Sequence, residues 1–211
     1  MIKLLDHMGD DLSVVNAARV SMAKESLAMC ESDEKLIHYL AKHKHWTPFA
    51  HVQFKFRIKM PIFVVREWTK STIGLARNEV SRRYVDTPPD FWTPNGAWRG
   101  RAENVKQGSG EVLPEEVCKD VDSIYGYAIM ITEEAYHDML ERGVCPEQAR
   151  AIIPQSMMTE FIETGSLAAY SRIYGLRSDP HAQKEIQEYA HAIGEAIAPI
   201  VPVSWAALTG S

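Results

Sequence analysis

The stretch from His51 to Met60 constrains the fold more than any other part of the chain. Val52, Phe54, Phe56, Ile58 and Met60 fall on one side of a two-residue period, with Gln53, Lys55, Arg57 and Lys59 on the other. A strand sends successive side chains to opposite faces, so this segment reads as a half-buried β-strand. Its apolar face needs a cover, and the rest of the chain offers mostly helices to supply one. Pro61 follows at once, suited to the first position of a helix through Phe63, Val64 and Trp68.

Helical spacing recurs on both sides of this strand. Val14, Val15, Ala18 and Met22 predict a helix entered at Asp11-Leu12-Ser13, and Leu36, Ile37 and Leu40 predict another from Ser32 into His43-Lys44-His45. Asn78 to Val85 reads as extended and is closed by Thr87-Pro88-Pro89. Asp90 to Gly110, rich in Gly, Trp, Arg and Asn, reads as a loop with little regular structure. A long helix is expected from Leu113-Pro114 to Arg142, ended by Gly143. Pro146 restarts a helix that Pro154 interrupts. Ser166 to Tyr174 and Pro180 to Ala198 give two more, and Pro199 and Pro202 end the helical tail. The sum is α+β: a helix-rich single domain over residues 1–211, with a small antiparallel or mixed sheet.

Composition removes several function classes. No apolar run reaches the roughly 18 residues needed to cross a bilayer, and Met1 to His7 is too short and too charged for a signal peptide. The expectation is therefore a cytoplasmic protein with no membrane partner. Cys30, Cys118 and Cys145 make no CxxC pair and read as reduced packing thiols. Among 8 histidines, His43, His45 and His51 crowd together, but nothing stands at ligand spacing, so no metal is expected. A net charge of −5 argues against nucleic acid as a partner. Within this acidic chain, Arg66, Lys70, Arg77, Arg82 and Arg83 face only Glu67 and Glu79. That basic stretch has two readings, a site for a small anionic ligand or a solvated face paired to acids elsewhere.

The common catalytic motifs are missing. There is no GxGxxG fingerprint, no GxxxxGK[ST] phosphate loop and no GxSxG elbow. Cys145 stands near Arg142 and Arg150, where packing is the simpler role. What remains is a set of arginines: Arg66, Arg82 and Arg83 early, Arg150, Arg172 and Arg177 late. Their planar forks suit phosphate and the carbonyl edge of a pyrimidine.

Five segments, in order along the chain, carry a resemblance. They are His45-Trp46-Thr47-Pro48-Phe49-Ala50-His51, Pro61-Ile62-Phe63-Val64-Val65-Arg66, Asn78-Glu79-Val80-Ser81-Arg82-Arg83-Tyr84, Ala149-Arg150-Ala151-Ile152-Ile153-Pro154, and Leu176-Arg177-Ser178-Asp179-Pro180-His181 with its continuation to Ile186. Together they resemble the flavin-dependent thymidylate synthases. The resemblance implies the thymidylate synthase-complementing fold and a homotetramer with shared active sites. It also implies FAD as cofactor, with NADPH and methylenetetrahydrofolate as co-substrates for methylation of dUMP. Such a reaction needs no enzyme nucleophile, so the protein supplies positioning and electrostatics.

Carried over by position, the dUMP site comprises Glu67, Trp68, Thr69, Lys70, Glu79, Val80, Ser81, Arg82 and Arg83, with Arg150 from a neighbouring subunit. Arg177 is the catalytic assignment, binding the uracil edge and favouring ionisation at N3. The FAD site draws on His45, Thr47, Lys70, Ser71, Thr72, Asn78, Glu79, Ser166, Ala168, Arg172 and His181. The chain departs from the family's Arg-His-Arg signature, where Lys70-Ser71-Thr72 stands instead. Lys70 keeps a charge without the fork, and Ser71 brings no imidazole. Three readings follow: dUMP methylation; C5 methylation or hydroxymethylation of UMP or dCMP; and a decayed flavin- or nucleotide-binding protein. Glu67, where the family has glutamine, bears on the second, because a carboxylate accepts from an exocyclic amino group.

Overall fold

The computed structural model describes residues 1–85, 87–94, 97–103 and 108–210. Its strands are β1 (Ile2–Met8), β2 (Gln53–Pro61), β3 (Leu75–Glu79), β4 (Arg99–Arg101), β5 (Ser109–Val112) and β6 (Met158–Ser166). Its helices are α1 (Asp11–Arg19), α2 (Glu31–Lys42), α3 (Ile62–Trp68), α4 (Glu115–Glu141), α5 (Pro146–Ala149), α6 (Leu167–Arg177), α7 (Lys184–Ile197) and α8 (Pro202–Thr209). The α+β expectation holds. The chain falls into two compact units, one of Met1–Ile58, Trp68–Asn78 and Ile162–Ser211, the other of Lys59–Glu67 and Glu79–Phe161.

In the first unit the sheet runs in the order β1-β2-β6-β3. β1 pairs antiparallel with β2, Ile2 facing Ile58 and Met8 facing Gln53, with one irregularity between Leu4 and Asp6. The inward residues of β2 are buried as its alternation requires, each worth about 1.5–3 kcal/mol relative to exposure. α6 covers this face: the Tyr170 ring lies edge-on to Phe56 at 5.2 Å and to Phe54 at 6.4 Å. Around them α2 packs on α8 and α6 on α7.

Two buried carboxylates tie the helices of this unit together. Asp11 accepts from the backbone N–H groups of Val203 (3.0 Å) and Ser204 (2.8 Å), so the first residue of α1 caps the start of α8. Asp33, fully buried in α2, accepts from Arg19, Ser26 and the Cys30 backbone and thiol. Burial pushes the Asp33 carboxyl up, but those bonds and the Arg19 charge outweigh it and hold it below the usual carboxylate range.

In the second unit β4 and β5 form an antiparallel hairpin, Arg99 facing Val112. Phe63, Trp92, Trp98 and Tyr125 continue it as a row of edge-on rings with centroids 5.2, 6.2 and 5.4 Å apart. Trp98 donates to Asp122 (2.7 Å) and Tyr125 to the Trp92 carbonyl, which stitches the segment to α4.

Three expectations need correction and one needs refining. The Asp90–Gly110 segment is mostly irregular, as expected, but it also carries β4 and the start of β5; residues 95–96 and 104–107 lie outside those described. Asn78 to Val85 is extended only through Glu79, after which Tyr84 and Val85 both donate to the Ser81 carbonyl in a tight turn. Pro61 ends β2 rather than opening α3, and Pro202 starts a helix rather than ending one. β1 and β6 had no counterpart in the sequence reading.

Asp33→Asn is expected to lower stability at pH 7 by about 2–3 kcal/mol, the scale of lost bonds to a charged group. The folded Asp33 carboxyl lies below its unfolded value, so its contribution is present above the ordinary aspartate range and lost as pH falls through the depressed value. Urea unfolding from pH 7 to pH 3 checks this: the wild type should lose more stability on acidification than Asp33→Asn.

Candidate functional site

In the first unit the expected flavin-facing residues gather on the turn between α3 and β3. Arg77 reaches back from β3 with both sides of its guanidinium. Nη2 donates to the Ser71 carbonyl at 2.8 Å, while Nε donates to the Glu163 carboxylate. Arg172 on α6 donates to the Ile73 carbonyl at 2.6 Å, and the Ser166 backbone N–H donates to the Gly74 carbonyl at 3.2 Å. The Thr72 carbonyl takes the Leu75 N–H. The turn's carbonyls are therefore engaged, whereas the N–H groups of Thr72, Ile73 and Gly74 have no acceptor among the described residues. Gly74 has φ +78°, the left-handed conformation required at the third position of the turn that the Leu75 N–H closes on the Thr72 carbonyl.

Beneath the turn lies Glu163, on the inward face of β6 and at 0% exposure. Besides Arg77 it accepts from the Trp68 indole, 3.3 Å from each oxygen. The Tyr170 hydroxyl donates to the Glu163 backbone carbonyl at 3.4 Å. Burial pushes the Glu163 carboxyl up, and the Arg77 charge and hydrogen bond pull against it. The Tyr170 phenol is also pushed up, first by burial and then by the Glu163 charge.

The other expected residues of this unit stand as follows. Lys70 and Asn78 are exposed, and Ser166 caps α6 by accepting from the Ala169 N–H at 3.2 Å. Ala168 lies in the first turn of α6 and Arg177, half-buried, in its last. His45 and Thr47 lie exposed after α2, the His45 ring 6.2 Å from Tyr39 and 6.4 Å from His43. His181 is exposed and bonds to Asp179 through both its backbone and its ring, which hold the Asp179 carboxyl below the usual range. Thr69 is half-buried, and Trp68 lies wholly in the core, where neither its ring nor its backbone is exposed.

In the second unit the expected nucleotide residues cluster after β3. The Thr159 hydroxyl donates to Glu79 at 2.7 Å, and the Val80 N–H to the Glu160 carbonyl at 2.9 Å. Arg82 donates to the carbonyls of Thr87 and Pro88, and the Arg83 N–H donates to the Ser81 hydroxyl at 3.3 Å. The Arg83 guanidinium pairs with the Glu147 carboxylate, and Arg150 donates to the Glu147 carbonyl at 3.3 Å. Glu147 thus brings Arg83 and Arg150 together. The Arg83–Glu147 pair is half exposed on both sides, the kind of ion pair worth about 0–1 kcal/mol. Glu67 is half-buried on α3. Among the described residues, no group of three or more His, Cys, Asp or Glu side chains is placed to hold a metal ion.

The sequence reading missed Glu163 and the inward role of Arg77. Thr159, Phe161, Glu163 and Gly165 share one face of β6, and a carboxylate among them signals a buried partner. Gly165 was missed too: an added Cβ would lie 2.3 Å from Leu75 Cδ2, 3.0 Å from Tyr170 Cε2 and 3.3 Å from the Gly74 carbonyl.

These features define a class: a helix-rich α+β protein that presents backbone N–H groups and arginines on short, braced turns, able to hold anionic ligands. The family described as thymidylate synthase complementing protein matches residues 3–203. The chain is 40% identical over 211 residues to the flavin-dependent thymidylate synthase of Thermus thermophilus, covering 98% of this chain and 74% of that protein. It is 39% identical over 189 residues to the one from Thermosipho africanus, covering 90% and 82%. A crystal structure of the UMP/dUMP methylase PolB from Streptomyces cacaoi bound with 5-Br dUMP superposes with a TM-score of 0.90 at 28% identity, covering 100% of this chain and 94% of that one. The same methylase bound with 5-Br UMP gives 0.89 at 27%. The chain belongs to the flavin-dependent thymidylate synthase family.

Gly165→Ala is expected to cost about 1–3 kcal/mol, the range for overpacking a core site. Thermal unfolding followed by circular dichroism checks it, with Gly175→Ala, whose Cβ would meet nothing within 4 Å, as control.

Proposed function

We propose that this protein carries out the reductive C5 methylation of dUMP to dTMP, with FAD as cofactor and NADPH and methylenetetrahydrofolate as co-substrates. The reading rests above all on family membership over residues 3–203. The turn at Lys70–Gly74 supports the cofactor assignment. Its N–H groups without an acceptor among the described residues, the exposed Lys70 ammonium and the nearby Arg172 suit the anionic part of a flavin dinucleotide. Bound FAD would supply the hydride chemistry, which no protein side chain can.

The chain's own residues would bind and orient. Ser81, Arg82 and Arg83 would hold the nucleotide phosphate, with Arg150 serving a neighbouring subunit in a homotetramer. Arg177 would place its charge at the uracil edge and lower the cost of ionising N3. Glu79, fixed by Thr159, would orient its ligand without moving. Arg83 must leave Glu147 to meet a phosphate dianion, and the weak, half-exposed pair permits that exchange. No helix among the described residues is long and apolar enough to cross a membrane, and a cytoplasmic site of action forms part of the proposal.

A second pyrimidine deserves a place in the test, because the methylase that superposes so closely is described as acting on both UMP and dUMP. Tritium release from 5-³H-dUMP and 5-³H-UMP, with FAD, NADPH and methylenetetrahydrofolate, separates the two. Release from dUMP should exceed release from UMP and should fall at least 100-fold in Arg177→Ala. Release from neither nucleotide above that variant's background would defeat the proposal.

Glu147→Gln removes the carboxylate that competes with phosphate for Arg83. The expected result is a KM for the nucleotide lowered about 2- to 5-fold with kcat little changed, the scale of a surface ion pair. Steady-state kinetics at low ionic strength checks it.

A further inference from the structure

The Arg77–Glu163 pair is not explained by nucleotide or flavin contact, since Glu163 is fully buried and Arg77 nearly so, with 15% of its side chain exposed. Nor does stability account for it. Two charges taken from water lose hydration that their attraction barely repays, and well-packed apolar residues in their place are often as stable or more so. What the pair supplies is a fixed direction. Glu163 is held from the other side by the Trp68 indole, and its strand position is pinned by the Tyr170 hydroxyl at the backbone carbonyl. The guanidinium that docks on it is planar, so fixing Nε fixes where Nη2 points. It points at the Ser71 carbonyl.

We infer that Arg77 and Glu163 are positioning residues for the flavin site: they turn the Ser71 carbonyl inward and so hold the Thr72 N–H, on the opposite side of the same planar peptide, outward for the cofactor. The inference rests on the cofactor assignment above. The turn has other attachments: the Ser71 N–H donates to the Trp68 carbonyl at 3.3 Å, the Thr72 carbonyl takes the Leu75 N–H, and Arg172 and the Ser166 N–H hold the carbonyls of Ile73 and Gly74. Arg77 is the side chain that ties the first half to the buried core. That half, Lys70 to Thr72, is where the family's Arg-His-Arg signature is absent.

The experiment compares wild type with Arg77→Met/Glu163→Leu, which removes both charges together and leaves no buried orphan. Thermal unfolding, FAD affinity by flavin fluorescence quenching and amide hydrogen exchange at residues 71–74 in FAD-free protein are measured on each. The expected result is a melting temperature equal to or above wild type, FAD affinity at least 10-fold weaker, and at least 10-fold faster exchange at those amides. A folded double variant that binds FAD within 2-fold of wild type and exchanges at the same rate overturns the inference and leaves the cofactor reading standing. A wild type that binds no FAD overturns both.

If the double variant does not fold, Arg77→Lys takes its place. Lysine satisfies Glu163 but lacks the rigid second arm toward Ser71. It should fold, bind FAD about 3- to 10-fold more weakly and show faster exchange at residues 71–74; wild-type values in both measurements overturn the inference.

Discussion

A carboxylate with no access to water must be answered by the protein alone, and Glu163 sets this demand at the centre of the first unit. The Trp68 indole and the Arg77 guanidinium answer it, and Tyr170 fastens the strand on which it stands. Each of these groups belongs to a different element: the end of α3, the middle of β3, and α6. The turn between α3 and β3 is tied to this demand, because the same Arg77 guanidinium also donates to the Ser71 carbonyl. Gly165, next but one to Glu163, provides the space for that close approach.

The arginines of the second unit obey different rules. Arg83 and Arg150 meet Glu147 at the surface, where solvent weakens every attraction and a partner is readily exchanged. The contrast divides the labour of one residue type. Inside, arginine is scaffold, locked by a partner it cannot leave. Outside, it is available to a ligand with more charge than the carboxylate it holds.

Much of this was legible in the sequence, and the failures have physical causes. β2 and α4 declare themselves because their periods are carried by side chains that stay apolar along the element. β1 is an edge strand, exposed along most of its length, so no burial pattern marks it. β6 hides its alternation because Thr159, Glu163 and Gly165 occupy inward positions that hydrophobic residues usually fill. The helix at Pro202 was missed since its cap comes from Asp11, which no local window contains. For the site, the resemblance named the turn and the arginines that follow it, but Arg77 was read only as one charge of a basic stretch, ligand-facing or solvated. Its burial depends on a carboxylate 86 residues away.

The link from Asp11 to Ser204 spans 193 residues, and it has a consequence for how the chain is made. On the ribosome, α1 emerges long before the helix it caps exists. Its buried aspartate must wait for the amides of that helix until the chain has been synthesised through Ser204. Contacts so distant close late and slowly, because the loop entropy falls due before they form. The first unit therefore completes its packing only once α8 has been made.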